Sequence, residues 1–152
     1  MFGFLLLLHI LGATIWTGGH IVLAFVVLPR ILKEKSPEEL LKFESVFEKI
    51  GMPALIIQIV TGVSLAYQKA PDFMLWLDFS NPLIHVIWLK LTLLLVTFCF
   101  ALSARFRVVP KLSDPKLGKE TLPLMAWHII PVTIISILFV VVGVSFRTGW
   151  FY

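Results

Sequence analysis

The sequence predicts an all-α membrane protein, one polytopic four-helix up-and-down bundle filling residues 1–152 as a single domain. Composition and the placement of charge carry that reading. Of the 152 residues 59% are hydrophobic and only 14% charged, where a soluble domain carries about a quarter. Mean hydropathy is +0.96. Residues 1–29, 50–68 and 121–146 contain no Asp, Glu, Lys or Arg, and 79–104 contains only Lys90. A bilayer-crossing helix needs ~20 predominantly apolar residues, and four segments meet or approach that length. A soluble enzyme, a secreted disulfide scaffold and a nucleic-acid binder are thereby excluded.

The net charge of +4 reflects topology rather than an anionic macromolecular partner. Arg30, Lys33, Lys35, Lys42 and Lys49 fall between the first two spans, and Arg105, Arg107, Lys111, Lys116 and Lys119 between the last two. The middle connection offers only Lys69, the C-terminus only Arg147 and the N-terminus none. Basic short loops mark the cytoplasmic side. Both termini and the middle connection are therefore expected outside, with a bacterial inner membrane the expected location and the lipid bilayer the first partner.

The elements follow in order. The start lacks a basic n-region and the first span exceeds a signal-peptide core, so a retained helix is expected. It should run from Phe4 to Leu28 and stop at Pro29-Arg30. Ser36-Pro37-Glu38-Glu39 reads as a helix start, with Ser36 as N-cap and Glu39 closing a capping box. An amphipathic stretch through Leu40, Leu41, Phe43, Val46 and Phe47 leads into the second span, which Gly51 and Pro53 should kink or restart and which continues to Tyr67. Gln68 to Pro82, with Asp72, Trp76 and Asp78, should form a short lid bearing interfacial aromatics. Helix 3 is expected over Leu83–Ala104 and helix 4 over Leu122–Val144, with Trp150, Phe151 and Tyr152 as an aromatic anchor. No internal repeat stands out.

All four histidines, His9, His20, His85 and His128, fall inside these spans. Ionisable groups at membrane depth are costly and face the bundle interior or a site. His9 and His20 are eleven residues apart, close to three turns, so they share a face roughly 16 Å apart along the axis. Trp16 lies on the same stripe, while Gly12 and Gly19 flank it. Bare backbone there suits either a flat macrocycle or close helix packing. Topology puts His9 and His85 at one depth and His20 and His128 at another, so two ligand layers are expected. Paired imidazoles suit six-coordinate haem iron, and histidine also suits copper and zinc.

Lys90 lies about 500° of helical turn after His85 and so points away from it. It either snorkels outward or holds a propionate, a carboxylated substrate or a proton inside. Gln58 and Thr61 are expected chiefly to bond between helices. Met52, Met125 and Cys99 suit Cu(I) chemically but form no close methionine pattern. The single cysteine leaves no disulfide within the chain.

The run from His9 through Gly12 and Trp16 to Gly18-Gly19, followed by Leu28-Pro29-Arg30, resembles the first helix of CopD-type membrane proteins. The likeness extends through Gly51–Pro53, Gln58–Gly62, Lys90 and Val142–Gly149. More distantly, the chain is similar to HemJ-type protoporphyrinogen oxidases. The first resemblance implies copper handling. The second implies a haem b oxidoreductase with His9 as iron ligand and Lys90 near its centre. His20 and His128 depart from that second pattern and give the chain, by analogy of architecture alone, the look of a dihaem membrane cytochrome.

The reading placed first is a b-type cytochrome, holding one or two haems on His9, His20, His85 and His128. Trp16, Gly12, Gly19 and Lys90 would complete its cofactor site, with a redox protein or quinol as partner. A copper permease or carrier comes second and a porphyrinogen oxidase third. A packing subunit without a cofactor, and a homo-oligomer, are also compatible. The charge pattern makes one expectation directly measurable. A C-terminal reporter that works only in the cytoplasm should be silent, and one that works only outside should be active; the reverse would invert the topology.

Overall fold

A proline inside an apolar helix removes one amide donor and pushes its ring against the preceding turn, and how the chain absorbs this shapes two of its four helices. The computed structural model describes residues 1–151 and their side chains other than that of Phe73; Tyr152 of the expected aromatic anchor lies outside the described residues. Helix α1 covers Phe2–Glu34, α2 Pro37–Lys69, α3 Pro82–Leu112 and α4 Gly118–Thr148, each long and apolar enough to cross a membrane.

Helix α1 does not end at Pro29. It opens into a π turn over Leu23–Val27 and resumes as α-helix over Leu28–Glu34. The Leu28 amide bonds the Leu23 carbonyl, five residues back, so the wider turn makes room for Pro29 and the helix continues. Helix α3 repeats the device: a π turn over Ala104–Val108 precedes Pro110, and the Val109 amide bonds Ala104. The first helix finally stops at Lys35, which adopts a left-handed conformation at φ 52°.

The expected capping box does not form. The Ser36 hydroxyl points to Glu38 Oε2 at 3.4 Å and caps no amide. Glu39 instead takes Arg30 at 2.7 Å, tying the end of α1 to the start of α2. Pro37 does occupy the first turn, where its missing N–H costs nothing. Nor does α2 restart at Gly51 and Pro53, for it runs unbroken through both. Gly51 serves packing: a Cβ there would lie 3.0 Å from the Phe47 ring.

Helix α1 packs along α2 and also against α4, and α4 packs on α3. Helices α2 and α3 meet chiefly at the basic end, where Arg105 lies 3.4 Å from Glu48. The main core sits at that same end. Leu23, Leu28 and Ile31 meet Leu40, Val108, Leu112, Leu122 and Ile129, so all four helices contribute. At the opposite end the connection folds back onto α3. Trp76 Nε1 donates to the Ala70 carbonyl at 2.8 Å, and Trp88 Nε1 to the Trp76 carbonyl at 2.9 Å. Asn81 caps α3 through the Leu83 amide. The Ser80 hydroxyl donates to Asp78 at 2.6 Å and holds that carboxyl below its ordinary range.

Ile31 and Leu40 are fully buried in the core that joins the four helices. Replacing either with Ala should cost about 2–5 kcal/mol. A marked fall in the thermal unfolding midpoint of the detergent-solubilised protein is expected, and an unchanged midpoint would contradict this assignment of the core.

Candidate functional site

The side chains that matter lie on α1 and on the helices it touches. His9 and His20 share one face of α1, as their spacing predicts, and that face is committed to α2. His9 Nδ1 lies 3.0 Å from Thr61 Oγ1. The Thr61 hydroxyl spends its single proton on the Ile57 carbonyl at 2.6 Å, so His9 Nδ1 donates and the Nε2 lone pair remains. The expectation that Thr61 bonds between helices is met here.

His20 sits deeper. Its Nδ1 donates to the Trp16 carbonyl at 2.8 Å. Its ring lies 4.4 Å from the Trp16 ring and meets the Phe47 ring edge-on at 5.4 Å. With Nδ1 protonated, Nε2 of the neutral imidazole is the free lone pair. No protein group among the described residues bonds it.

His128, on α4, is built the same way. Nδ1 donates to the Leu124 carbonyl at 2.8 Å, and Nε2 accepts from the Ser103 hydroxyl of α3 at 3.0 Å. Phe100 meets its ring edge-on at 5.8 Å. His20 thus faces α2 and His128 faces α3, so the expected inner pair is not brought together. The outer pair is not formed either. His85 is exposed and stacks on Phe79 at 6.2 Å, whereas His9 turns toward α2. Depth along the axis was legible in the sequence, but the rotation of each helix, fixed by packing, separates the partners.

Gly12 and Gly19 resolve the other ambiguity. A Cβ at Gly12 would stand 2.9 Å from the Ala54 carbonyl oxygen and 3.4 Å from Gln58 Cβ. A Cβ at Gly19 would collide with the Phe47 ring. The bare backbone is filled by α2, and Trp16 is buried in the same seam at 7% exposure. This is helix packing of the small-residue kind. A haem between two imidazoles does not fit this arrangement, because the glycine face is occupied and no two histidines oppose one another.

Lys90 turns inward. Its ammonium lies 5.2 Å from the Phe146 ring centroid, beside Gly143, whose missing Cβ would be 3.4 Å from Nζ. The outward-snorkelling alternative is thus not what the fold adopts, while the separation from His85 is as the spacing predicts. Gln58 Oε1 is buried without a hydrogen-bond partner among the described residues. Met52 and Cys99 are exposed, whereas Met125 is in the core; the three do not join. Among the described residues no three His, Cys, Asp or Glu side chains converge as a metal cluster. Sequence reading missed Phe47, Phe100 and Ser103, whose roles depend on helix rotation.

The model for copper resistance protein D, CopD, matches residues 41–146. Neither a curated protein nor a solved structure matches the chain.

The contrast between two adjacent glycines tests the seam. Gly18 has open space where a Cβ would go, and Gly19 does not. Gly18→Ala should leave the unfolding midpoint near that of the parent, while Gly19→Ala should lose about 1–3 kcal/mol through overpacking. Equal midpoints would mean that α1 and α2 do not pack through this face.

Proposed function

This chain belongs to the copper resistance protein D family, CopD, and from that membership we propose that it handles copper within the bilayer, taking the ion as cargo on buried imidazoles. The observation that carries the reading is the state of His20. Its Nδ1–H is fixed to a backbone carbonyl, it is buried at 9% exposure, and its Nε2 lone pair has no protein partner among the described residues. Histidines that bind metals are oriented in just this way, with the second ring nitrogen held by a carbonyl or carboxylate.

His9 provides a second station on the same helix. Its Nε2 is likewise left as a lone pair by the bond to Thr61, and the two imidazoles lie roughly 16 Å apart along α1. An ion moving between them would remain in one helix seam, with Trp16 and Phe47 shielding the deeper station from water. His128 has the same carbonyl-fixed ring, and a copper ion would have to displace the Ser103 hydroxyl to use it. Imidazole is a suitable ligand for copper. The bilayer is the protein's environment in this reading, with the basic loops on the cytoplasmic side and both termini outside.

The test is anaerobic titration of the purified, detergent-solubilised protein with Cu(I) against a competing chelator. At least one ion per chain should bind. His20→Ala should weaken binding by about tenfold or more, while His85→Ala should leave it unchanged. Binding should also fall as pH drops, because the ligating imidazole must be neutral. An optical spectrum with a Soret band stoichiometric with the chain, and no Cu(I) binding, would sink the copper reading and restore the haem one.

A further inference from the structure

The two helical hairpins repeat one another. Phe25-Val26-Val27-Leu28-Pro29-Arg30-Ile31 in α1 returns as Phe106-Arg107-Val108-Val109-Pro110-Lys111-Leu112 in α3. Val60-Thr61-Gly62-Val63-Ser64-Leu65 in α2 returns as Val141-Val142-Gly143-Val144-Ser145-Phe146 in α4. One offset relates both pairs: position 106 is 81 beyond position 25, and 143 is 81 beyond 62. The structure keeps the same register, with π turns starting at Leu23 and Ala104 and with α2 and α4 starting at Pro37 and Gly118. Two motifs and two structural landmarks in one uninterrupted register are the mark of an internal duplication. Since α1 and α3 run in the same direction, the repeat is parallel, of the kind related by an axis along the membrane normal.

That register pairs His9 with Lys90. Each lies against the equivalent glycine of its own hairpin. A Cβ at Gly62 would be 3.0 Å from His9 Cε1, and one at Gly143 would be 3.4 Å from Lys90 Nζ. Both lie roughly 10–12 Å along their helices from the end that carries the termini. The two hairpins therefore present one basic side chain each at a common level. Thr17 bonds the Ser136 carbonyl and Thr133 the His20 carbonyl, and the same antiparallel register of α1 on α4 sets His9 at the level of Gly143, beside which Lys90 lies.

The chemistry at that level is unbalanced. An ammonium at membrane depth is costly unless it is paired. The ion pairs among the described residues, Arg30 with Glu39 and Arg105 with Glu48, are at the other end. Among the described residues Lys90 makes no hydrogen bond there, and its ammonium lies over the Phe146 ring. The other hairpin brings two acceptors to this region: His9 Nε2, at the same level, and Gln58 Oε1, buried without a partner among the described residues. One positive charge beside two acceptors suits an anion that also carries O–H groups. A carboxylate has no such proton to give, whereas a hydrogen phosphate or a phosphate monoester does.

We propose that His9, Gln58 and Lys90 form a binding site, between the duplicated hairpins, for a protonated phosphate group. Lys90 supplies the charge, and His9 and Gln58 accept the phosphate O–H. The group is either free phosphate or the monoester headgroup of a lipid. The site shares His9 with the second copper station, but no metal enters its recognition or its test, so its failure is distinguishable from failure of the copper reading.

The experiment measures binding of radiolabelled inorganic phosphate to the whole protein in phosphatidylcholine nanodiscs, and retention of phosphatidic acid in mixed nanodiscs. Saturable phosphate binding that phosphatidic acid does not displace identifies the free anion as ligand; Lys90-dependent retention of phosphatidic acid identifies the headgroup. Lys90→Met should weaken whichever binding is seen by about tenfold or more. Lys90→Arg should restore it to within about threefold, because the charge is kept. The exchange of His9→Lys with Lys90→His should also retain binding, as the register makes the two positions equivalent. His9→Gln supplies a second loss-of-binding reading should Lys90→Met fail to fold. The proposal is overturned if neither phosphate nor phosphatidic acid binds, or if binding is the same in the parent and in folded Lys90→Met and His9→Gln.

Discussion

Gly12 and Gly19 let the α1 backbone lie directly against α2, and most of the interior chemistry follows from that contact. Lipid offers little hydrophobic drive for helices to associate, so close van der Waals packing must do it. The Ala54 carbonyl and the Phe47 ring fill the two bare positions. Everything else on that face of α1 then has its neighbours chosen for it. His9 meets Thr61, His20 meets Phe47, and Trp16 is closed in between them. A planar cofactor would need the same bare backbone, and α2 already has it.

A second constraint acts on every polar group inside the bundle. With no water to take an unsatisfied donor or acceptor, each must find a partner in the protein. Serines and threonines largely bond back to their own helices, as Thr133 does to Ile129. Some also reach across, and Thr133 lies 3.2 Å from the His20 carbonyl while Thr17 bonds Ser136. His9, His20 and His128 solve half of the problem by giving Nδ1–H to a carbonyl or hydroxyl. What remains among the described residues is small and specific: the His9 and His20 lone pairs, the Gln58 oxygen and the Lys90 ammonium. These are the groups to which a cargo ion or an anion can add a bond without displacing a protein partner.

The spans, the basic loops, the shared face of His9 and His20 and the divergence of Lys90 from His85 were all legible in the sequence. Each rests on periodicity along one helix or on composition. The pairing of histidines across helices was not legible, since equal depth says nothing about rotation about the axis. Pro29 misled because the rule that proline ends a helix omits the π turn that accommodates it. Ser36 misled because Arg30, nine residues before Glu39, competes for the carboxylate that a capping box needs. The duplication is not legible in the sequence alone, because its identities are sparse; the two π turns and the two helix starts supply its register.

That register also explains why the deeper imidazoles stand apart. Phe47 and His128 occupy equivalent positions, 81 residues apart. In the first hairpin an imidazole on α1 meets a phenyl on α2; in the second, a phenyl on α3 meets an imidazole on α4. Both pairs are edge-to-face, with interplanar angles of 83°. Each hairpin thus keeps one imidazole–phenyl contact in its own seam, with the histidine moved to the opposite helix. Had both histidines stayed on equivalent helices, the repeat would have related them directly. Exchanged as they are, each is held by its own hairpin, and Ser103 occupies the ring nitrogen of one while the other stays open. Divergence after duplication has in this way left two imidazoles of like geometry but unequal availability to a ligand.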